Sequence, residues 1–475
     1  MLAAAIAGAC SDPLGFDPEP PAEEEVCAAS REWLPDTPAV DLYKPLPHPS
    51  GECPFYRDAW QNFLIAAQPD AGQPAFLAYP TIDTAFDPAV PHAPGRSVLG
   101  DVRQAGGRQI LIDQHGNAIY YGIHVNQAYA DFIDESGLRT ADAIRDADPG
   151  LFFPAGVVEF KSAWQIIEPG ESADDYITAS TTVPTLSMNA DHRIVEDRAT
   201  ARQVQVKLLA LHVVFTLPGH PEFVWATFEH SDGTPDTQAS DGHRDVAPVA
   251  AGNPDPSDPN NLEVTDVVSP DDHLLYLGGT PTNEGNRPIN DRDLVFDAAS
   301  QKFTGQATSV YRMFPASKSN TIDADEAISS LNRNVEALFA QATGLDASDR
   351  RGHYRLVGAV WMDKPEFFDV DESLENDESS PFFDQEGFVE DITANGSDSD
   401  LSILAGEDRL SSTAMESFTQ APDSFPNCFS CHNTHAVTAQ GVPLDHDQAG
   451  VKLMDPKMLN VSHVLSQFVI SEREP

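Results

Sequence analysis

The chain has few basic residues for its size, and this shortage limits the partners that it can bind. Its 475 residues include 75 acidic and only 28 basic side chains, which gives a formal net charge of −47. Nucleic acids and anionic membranes are bound by basic surfaces, so neither is expected as a partner. This acidic, lysine-poor composition resembles that of proteins from halophilic or marine organisms, and adaptation to such an environment is the favoured interpretation. The alternative is an acidic surface that attracts a basic protein, such as a small positively charged cytochrome.

Long apolar runs and several common catalytic motifs are also missing. No apolar run reaches the ~18 residues that a membrane-spanning helix needs. The sequence contains no glycine-rich phosphate loop, no GxSxG elbow and no HExxH pair. The signatures of nucleotide binding, serine hydrolysis and zinc proteolysis are therefore lacking.

Five cysteines are present, and two of them form the most specific pattern in the chain. Cys428, Cys431 and His432 have the CxxCH spacing by which c-type haem is attached. Both cysteines form thioethers with the haem vinyl groups, and the next residue lies beneath the iron as proximal ligand. The second ring nitrogen of His432 would donate its N–H to an acceptor that fixes the ring. The pattern predicts one covalent haem c.

Two other interpretations of this motif are weaker. A structural zinc site needs four ligands, and no further cysteine stands at a suitable spacing from Cys428 and Cys431. A dithiol redox pair normally follows a strand in a βαβ unit, and none is predicted before the motif. Haem attachment is therefore the favoured interpretation.

The N-terminus resembles the end of an export signal. Residues 1–9 are apolar and uncharged and end in the small residues of a cleavage site, although a positive start and a full apolar core are missing. We interpret them as a partial signal peptide and expect an extracytoplasmic location, in the periplasm or cell envelope. The Ala-Gly-Ala-Cys sequence also resembles a lipobox, which would make Cys10 the lipid anchor of a lipoprotein.

Once Cys10, Cys428 and Cys431 have been assigned, two cysteines remain, Cys27 and Cys53. In an oxidising compartment we predict a disulfide between them, which would close a proline-rich segment with few apolar residues. The alternative is two buried thiols.

Apolar and polar residues alternate in several segments, which predicts an α+β fold with a mainly antiparallel sheet, peripheral helices and a helical C-terminal haem-binding segment. The predicted strands are 109–114, 118–125, 156–167, 204–217, 223–229 and 353–362. The predicted helices are 56–67, 126–133, 324–342, 411–420 and 460–470.

We divide the chain into four parts. Residues 1–9 are the partial signal peptide, 10–55 a proline-rich N-terminal segment, 56–400 a large α+β domain, and 401–475 the haem c segment. Two polar stretches, 231–272 and the strongly acidic 369–400, are interpreted as loop insertions of the large domain.

The CxxCH motif resembles that of c-type cytochromes. Three phrases resemble large exported single-haem bacterial proteins: Trp60-Gln61-Asn62-Phe63, the stretch from His212 to His230 that ends in WATFEH, and 412–420 ahead of the motif. Small electron carriers of the family place CxxCH near the domain start and a methionine ligand well downstream. Here the motif begins at Cys428, so we expect the haem to be covered by the preceding helix, the following tail and the β domain.

The second axial ligand of the iron is open to several candidates. We favour His463, on the predicted last helix, with Met454 or Met458 as alternatives and an open position as a further possibility. Weaker candidates are His435, His446 and Met415.

Two classes of function follow from these expectations. The first is an extracytoplasmic electron carrier with a six-coordinate haem and a redox partner protein. The alternative is a haem-dependent oxidoreductase or small-ligand sensor with an open iron position; between enzyme and carrier, the carrier is favoured. His212, His220 and His230, on one predicted hairpin, suggest a weaker second metal or acid–base site.

Overall fold

The fold is known from a computed structural model. It describes residues 27–34, 52–87, 99–104, 109–218, 220–231, 267–312, 326–342, 345, 349–362, 404–407, 410, 412–420, 428–430, 432, 457–462 and 464–465. The partial signal peptide, Cys10 and the acidic stretch 369–400 lie outside the described residues.

The described residues include eleven strands, five α-helices and several short 3-10 turns. The strands are β1 (Pro69–Asp70), β2 (Gln73–Pro74), β3 (Tyr120–Val125), β4 (Val158–Ile166), β5 (Thr178–Met188), β6 (Ile194–Leu217), β7 (His220–His230), β8 (Phe296–Asp297), β9 (Lys302–Phe303), β10 (Tyr354–Met362) and β11 (Leu404–Gly406). The α-helices are α1 (Cys53–Ala66), α2 (Ile82–Phe86), α3 (Gln127–Glu135), α4 (Ala141–Arg145) and α5 (Glu326–Gln341). Short 3-10 turns cover Arg31–Trp33, Ala75–Ala78, Asp291–Asp293, Arg351–His353, Cys428–Ser430 and Met458–Val461.

One seven-stranded antiparallel sheet organises these elements. Its order is β11-β10-β7-β6-β4-β3, and β5 pairs with the first part of β6. Strand β6 has 24 residues, long enough to pair with β5 and then with β7. The predicted α+β fold with a mainly antiparallel sheet and few helices is confirmed.

A bulge explains how β6 keeps its apolar side chains buried along its length. Leu208 opposes Trp164, whereas Ala210 opposes Ala163, so β6 has one extra residue, Leu209, at this point. The extra residue shifts the alternation, since Leu208 and Leu211 pack on one face of the sheet and Leu209 on the other.

Three buried clusters cover the two faces of the sheet. The first core lies on one face, where Trp60 and Phe63 of α1 pack on Phe228 of β7, with the two phenyl rings stacked at 4.3 Å. The opposite face carries the second core, which includes Trp225, Phe429 and residues of α3 and α4, and the third core, which includes Met415. Because Trp225 and Phe228 are an odd number of residues apart on β7, they point to opposite faces.

The predicted helical C-terminal segment is not supported over 412–420, which form turns. Of the predicted helix 460–470, residues 460–461 belong to the 3-10 turn Met458–Val461 and residues 464–465 are α-helical. The reason lies in tertiary hydrogen bonds: the Thr413 N–H donates to Glu229 at 2.7 Å and the Ser417 N–H donates to Gln104 at 3.0 Å. In a helix over 411–420 the Ser417 N–H would bond to the carbonyl of Thr413, and here it bonds to the Gln104 side chain instead.

The predicted strand 109–114 is also wrong, because Ile110 and Ile112 form only isolated bridges, with Arg103 and Ala118. The glycine turn that follows is present. Gly116 has a φ of +81°, and a Cβ there would lie 2.4 Å from the carbonyl oxygen of Phe303, so glycine is required.

A buried carboxyl on α1 predicts a pH-dependent stability. Asp58 is 2% exposed, and within the described part of the chain its Oδ1 has no hydrogen-bond partner. Burial raises the pKa of Asp58 to about 7, although Arg57 lowers it in part. The folded state therefore binds more protons than the unfolded state between about pH 4 and 7, so this carboxyl reduces stability as the pH rises through that window.

The free energy of unfolding of the wild type should fall between about pH 4 and pH 8 as Asp58 ionises. In Asp58→Asn this fall should be smaller by roughly 3 kcal/mol. Urea denaturation at a series of pH values measures this loss. Asp83→Asn, at an exposed position on α2, is the matched control and should leave the profile unchanged. Parallel profiles for wild type and Asp58→Asn would contradict the account.

Candidate haem-binding site

The CxxCH motif begins in a short turn on the second core. Cys428–Ser430 form the 3-10 turn, and the backbone N–H of His432 donates to the carbonyl of Cys428 at 2.8 Å. Phe429 is 0% exposed and packs in the second core, while Cys428 is half-buried against it. A buried aromatic side chain inside the motif thus anchors the motif to the sheet. Cys431 lies outside the described residues.

His432 is oriented by a backbone acceptor from the segment that follows the motif. Its Nδ1 lies 3.0 Å from the carbonyl oxygen of Val461. Because a carbonyl can only accept, this contact assigns the proton to Nδ1 and leaves the lone pair on Nε2. An N–H held by a backbone carbonyl, with the other nitrogen basic, is the arrangement expected of a ligating histidine.

A tryptophan from the sheet covers the ring of His432. The ring centroids of Trp225, on β7, and His432 lie 4.0 Å apart at an interplanar angle of 43°. Trp225 also contacts Phe429 edge-on at 6.4 Å. Sequence reasoning missed this role, although Trp225 lies in the quoted WATFEH phrase, where an aromatic residue in an apolar strand gave no sign of its partner.

The segment after the motif is fixed to the α4 region. The Nζ of Lys457, which is buried, donates to the carbonyls of Ile144 and Ala147, each at 3.1 Å. The N–H of Met458 donates to the carbonyl of Pro149 at 3.3 Å. The apolar side chains of this segment are buried in the second core: Met458, Leu459, Val461, Val464 and Leu465.

Three buried polar groups lie beside Val461. The Ser462 hydroxyl lies 2.7 Å from the Tyr129 hydroxyl and donates to Glu159 at 3.1 Å. Burial raises the pKa of Glu159 to about 7, while the hydrogen bond from Ser462 and the charge of Lys161 lower it in part. These contacts connect Ser462 to α3 and β4. They therefore help to position the neighbouring Val461 carbonyl, which accepts the Nδ1 proton of His432.

The candidates for the second axial ligand are placed only in part. His463 lies outside the described residues, between Ser462 and Val464, which are both buried. Met458 packs in the second core beside the motif, and Met415 packs in the third core. The other candidates lie outside the described residues: His435, His446 and Met454.

The three histidines of the hairpin are not brought together. His220 and His230 are the first and last residues of the 11-residue strand β7, so roughly 33 Å separates them. His220 pairs with Glu222 at 2.7 Å, and His212 on β6 lies 3.1 Å from Glu416. Within the described residues, no group of three or more His, Cys, Asp or Glu is placed to hold a metal ion. The second-site prediction for this hairpin is therefore wrong.

His230 shows why a strand histidine need not be functional. Its ring stacks on Tyr176 at a centroid distance of 3.6 Å, and its Nε2 lies 3.1 Å from the carbonyl of Asp175. Burial lowers the pKa of His230 to about 3. A neutral histidine of this kind completes the packing of the sheet.

The surroundings of His432 fit the predicted haem in two respects. The imidazole has its Nδ1 proton engaged by a carbonyl, and the adjoining wall consists of apolar side chains, among them Trp225 and Phe429. An apolar macrocycle needs such a wall, and its proximal ligand needs such an acceptor.

Comparisons with protein-family models, with curated proteins and with solved structures found no match to this chain. Among the described helices, none is long and apolar enough to cross a membrane.

Proposed function

We propose that this chain is an extracytoplasmic c-type cytochrome that carries one covalent haem and transfers electrons. Cys428 and Cys431 would form the two thioethers, and His432 would be the proximal ligand through Nε2. The observation that carries the proposal is the 3.0 Å contact from Nδ1 of His432 to the Val461 carbonyl, beside a CxxCH motif on an apolar wall. The haem would supply one-electron redox chemistry.

The protein's own residues have three tasks in this proposal. The Val461 carbonyl orients His432 and raises its basicity, because it accepts the Nδ1 proton. Trp225 and Phe429 would provide the apolar wall on the side of His432. Lys457 fixes the segment that contains Val461 to the carbonyls at the end of α4. Together the three tasks would define the position of one imidazole ring.

His463 is our proposed second axial ligand, with Met454 and Met458 as alternatives. Two strong ligands restrict the iron to electron transfer, whereas an open position would allow a small ligand to bind and would favour the oxidoreductase or sensor. The described residues on either side of His463 in sequence, Ser462 and Val464, are both buried.

The proposed location and partner rest on separate observations. The disulfide between Cys27 and Cys53 supports an oxidising compartment. The net charge of −47 supports a basic redox partner. Exposed acidic residues near Lys457, in and after α4, would contribute to its attraction: Asp142, Asp146 and Asp148.

An optical spectrum tests the function. The protein is matured in a host with working cytochrome c assembly, and its oxidised and reduced spectra are recorded with and without carbon monoxide. The carrier proposal expects a low-spin spectrum that carbon monoxide leaves unchanged, and it expects His463→Ala to become high-spin and to bind carbon monoxide. A high-spin wild-type protein that binds carbon monoxide readily would replace the carrier by the oxidoreductase or sensor.

A further inference from the structure

We propose that Trp225 is a positioning residue for His432: a strained turn in β7 presses its indole against the imidazole and so fixes the rotation of the proximal ligand. The inference rests on the proposed function, because it assigns a consequence to the position of His432. It adds a role for the large sheet, which sequence analysis left without one.

The hydrogen bond to Val461 holds the ring of His432 at one atom only. It restrains rotation about the Cβ–Cγ bond but leaves the side chain able to swing about Cα–Cβ. The Trp225 ring, at a centroid distance of 4.0 Å, blocks this rotation from the β7 side. The two contacts come from different parts of the chain, the C-terminal segment and the central sheet, and together they define the ring plane.

Trp225 is itself held rigidly. It is 5% exposed, and its indole N–H donates to the carbonyl of Glu222 at 3.2 Å. Glu222 is buried as well. Its carboxylate lies 2.7 Å from Nδ1 of His220 and accepts the backbone N–H of Met362 at 3.3 Å. A chain of buried contacts thus runs from β10 through Glu222 to the indole.

The backbone at this point is strained. Phe223 has a φ of +69°, in the left-handed region that bulky L-residues rarely adopt. Such a conformation persists only where the surroundings enforce it. Here the Phe223 ring packs 5.1 Å from Phe153 in the second core. Phe223 lies between Glu222, whose carbonyl accepts the indole N–H, and Trp225 itself. The pairing of β6 with β7 is irregular at this point.

The consequence is a well-defined iron environment. With Trp225 removed, the imidazole can rotate and water can reach the Nδ1 contact, which stabilises the more charged oxidised iron. We expect Trp225→Leu to broaden the low-spin resonance lines into several conformers and to lower the reduction potential. A tenfold change in the redox equilibrium with a fixed partner corresponds to about 59 mV for one electron. Trp225→Phe keeps a ring against His432 and should restore narrow lines.

Trp361→Leu is the matched control. Trp361 is 2% exposed and lies on the neighbouring strand β10, but it packs in the first core, on the other face of the sheet. Trp361→Leu removes the same side-chain volume as Trp225→Leu, but on the face of the sheet opposite to His432. Equal shifts for Trp225→Leu and Trp361→Leu, or wild-type lines and potential in Trp225→Leu, would overturn the inference.

A second measurement does not require haem. In the variant in which Cys428 and Cys431 are both alanine, the indole ring current should shift the ring-proton resonances of His432 from their usual values. Introducing Trp225→Leu should abolish that shift, whereas Trp361→Leu should retain it. An unshifted His432 resonance would overturn the positioning role. Absence of haem from the mature wild-type protein, with the shift present, would refute the proposed function and leave the ring contact established.

Discussion

Replacing Glu229 with alanine is expected to lower the free energy of unfolding by about 3–5 kcal/mol, because the change removes a buried carboxylate that pairs with a buried guanidinium and accepts several hydrogen bonds. Glu229 lies on β7 and forms a buried ion pair with Arg312. It also accepts hydrogen bonds from the Ser412 hydroxyl at 2.9 Å and from the N–H and hydroxyl of Thr413 at 2.7 and 2.9 Å. One carboxylate therefore connects the sheet to the segment that precedes the CxxCH motif.

Guanidinium denaturation monitored by tryptophan fluorescence measures this effect. Glu168→Ala is the control, since Glu168 also pairs with a cation, Lys302, but both side chains are partly exposed. The control should lose only about 1 kcal/mol or less. A loss of similar size in both variants would contradict the special role given to the buried pair.

Removal of the Cys27–Cys53 disulfide is the second large effect. The predicted bridge is confirmed, with a Cα–Cα distance of 5.4 Å and a sequence separation of 26 residues. A loop of this length reduces the entropy of the unfolded chain by an amount worth about 3–4 kcal/mol. We expect Cys27→Ala/Cys53→Ala to lose unfolding free energy of this order, relative to the oxidised wild type.

The reduced wild-type protein provides the comparison for this variant. Reduction should bring the wild type close to the double variant, because both then lack the covalent constraint on the unfolded chain. Peptide mapping without reductant should recover the linked pair from the oxidised protein. Equal stability of the oxidised wild type and the double variant would show that the loop constraint contributes nothing.

The central strands could be predicted from the sequence because both of their faces are buried. Strands β4, β6, β7 and β10 contain runs of apolar, β-branched and aromatic residues, and helices α1, α3 and α5 show the helical period. Strand β5 escaped prediction because Thr and Ser occupy many of its positions and Pro184 interrupts it. The first part of β6 escaped because its side chains are mostly polar and exposed, so that it carries little apolar signal.

Two short helices were also missed, although a local signal was present. Helices α2 and α4 have five residues each, too few for a visible period. Each follows a threonine whose hydroxyl accepts a backbone N–H: Thr81 from Thr84 at 3.4 Å and Thr140 from Ala143 at 3.1 Å. A search for helix caps, rather than for periodicity, would have found both.

Part of the candidate site could be predicted from neighbouring residues in the sequence, and part depends on contacts between distant residues. The CxxCH spacing predicts its own chemistry, since the residues that would hold the haem are adjacent in sequence. The acceptor for His432 lies 29 residues further on, at Val461, and the tryptophan on its ring lies far earlier in β7. Neither contact follows from spacing, because each depends on how the sheet and the C-terminal segment pack.

The intact mass of the mature protein tests the central claim most directly. The chain is produced behind a known export signal in a host with working cytochrome c maturation, and the protein is unfolded in acid before mass spectrometry so that only covalent groups remain. The account predicts one added haem, and it predicts that Cys428→Ala/Cys431→Ala has none. An unmodified mass for the wild type, in a host that matures a known c-type cytochrome at the same time, would contradict it.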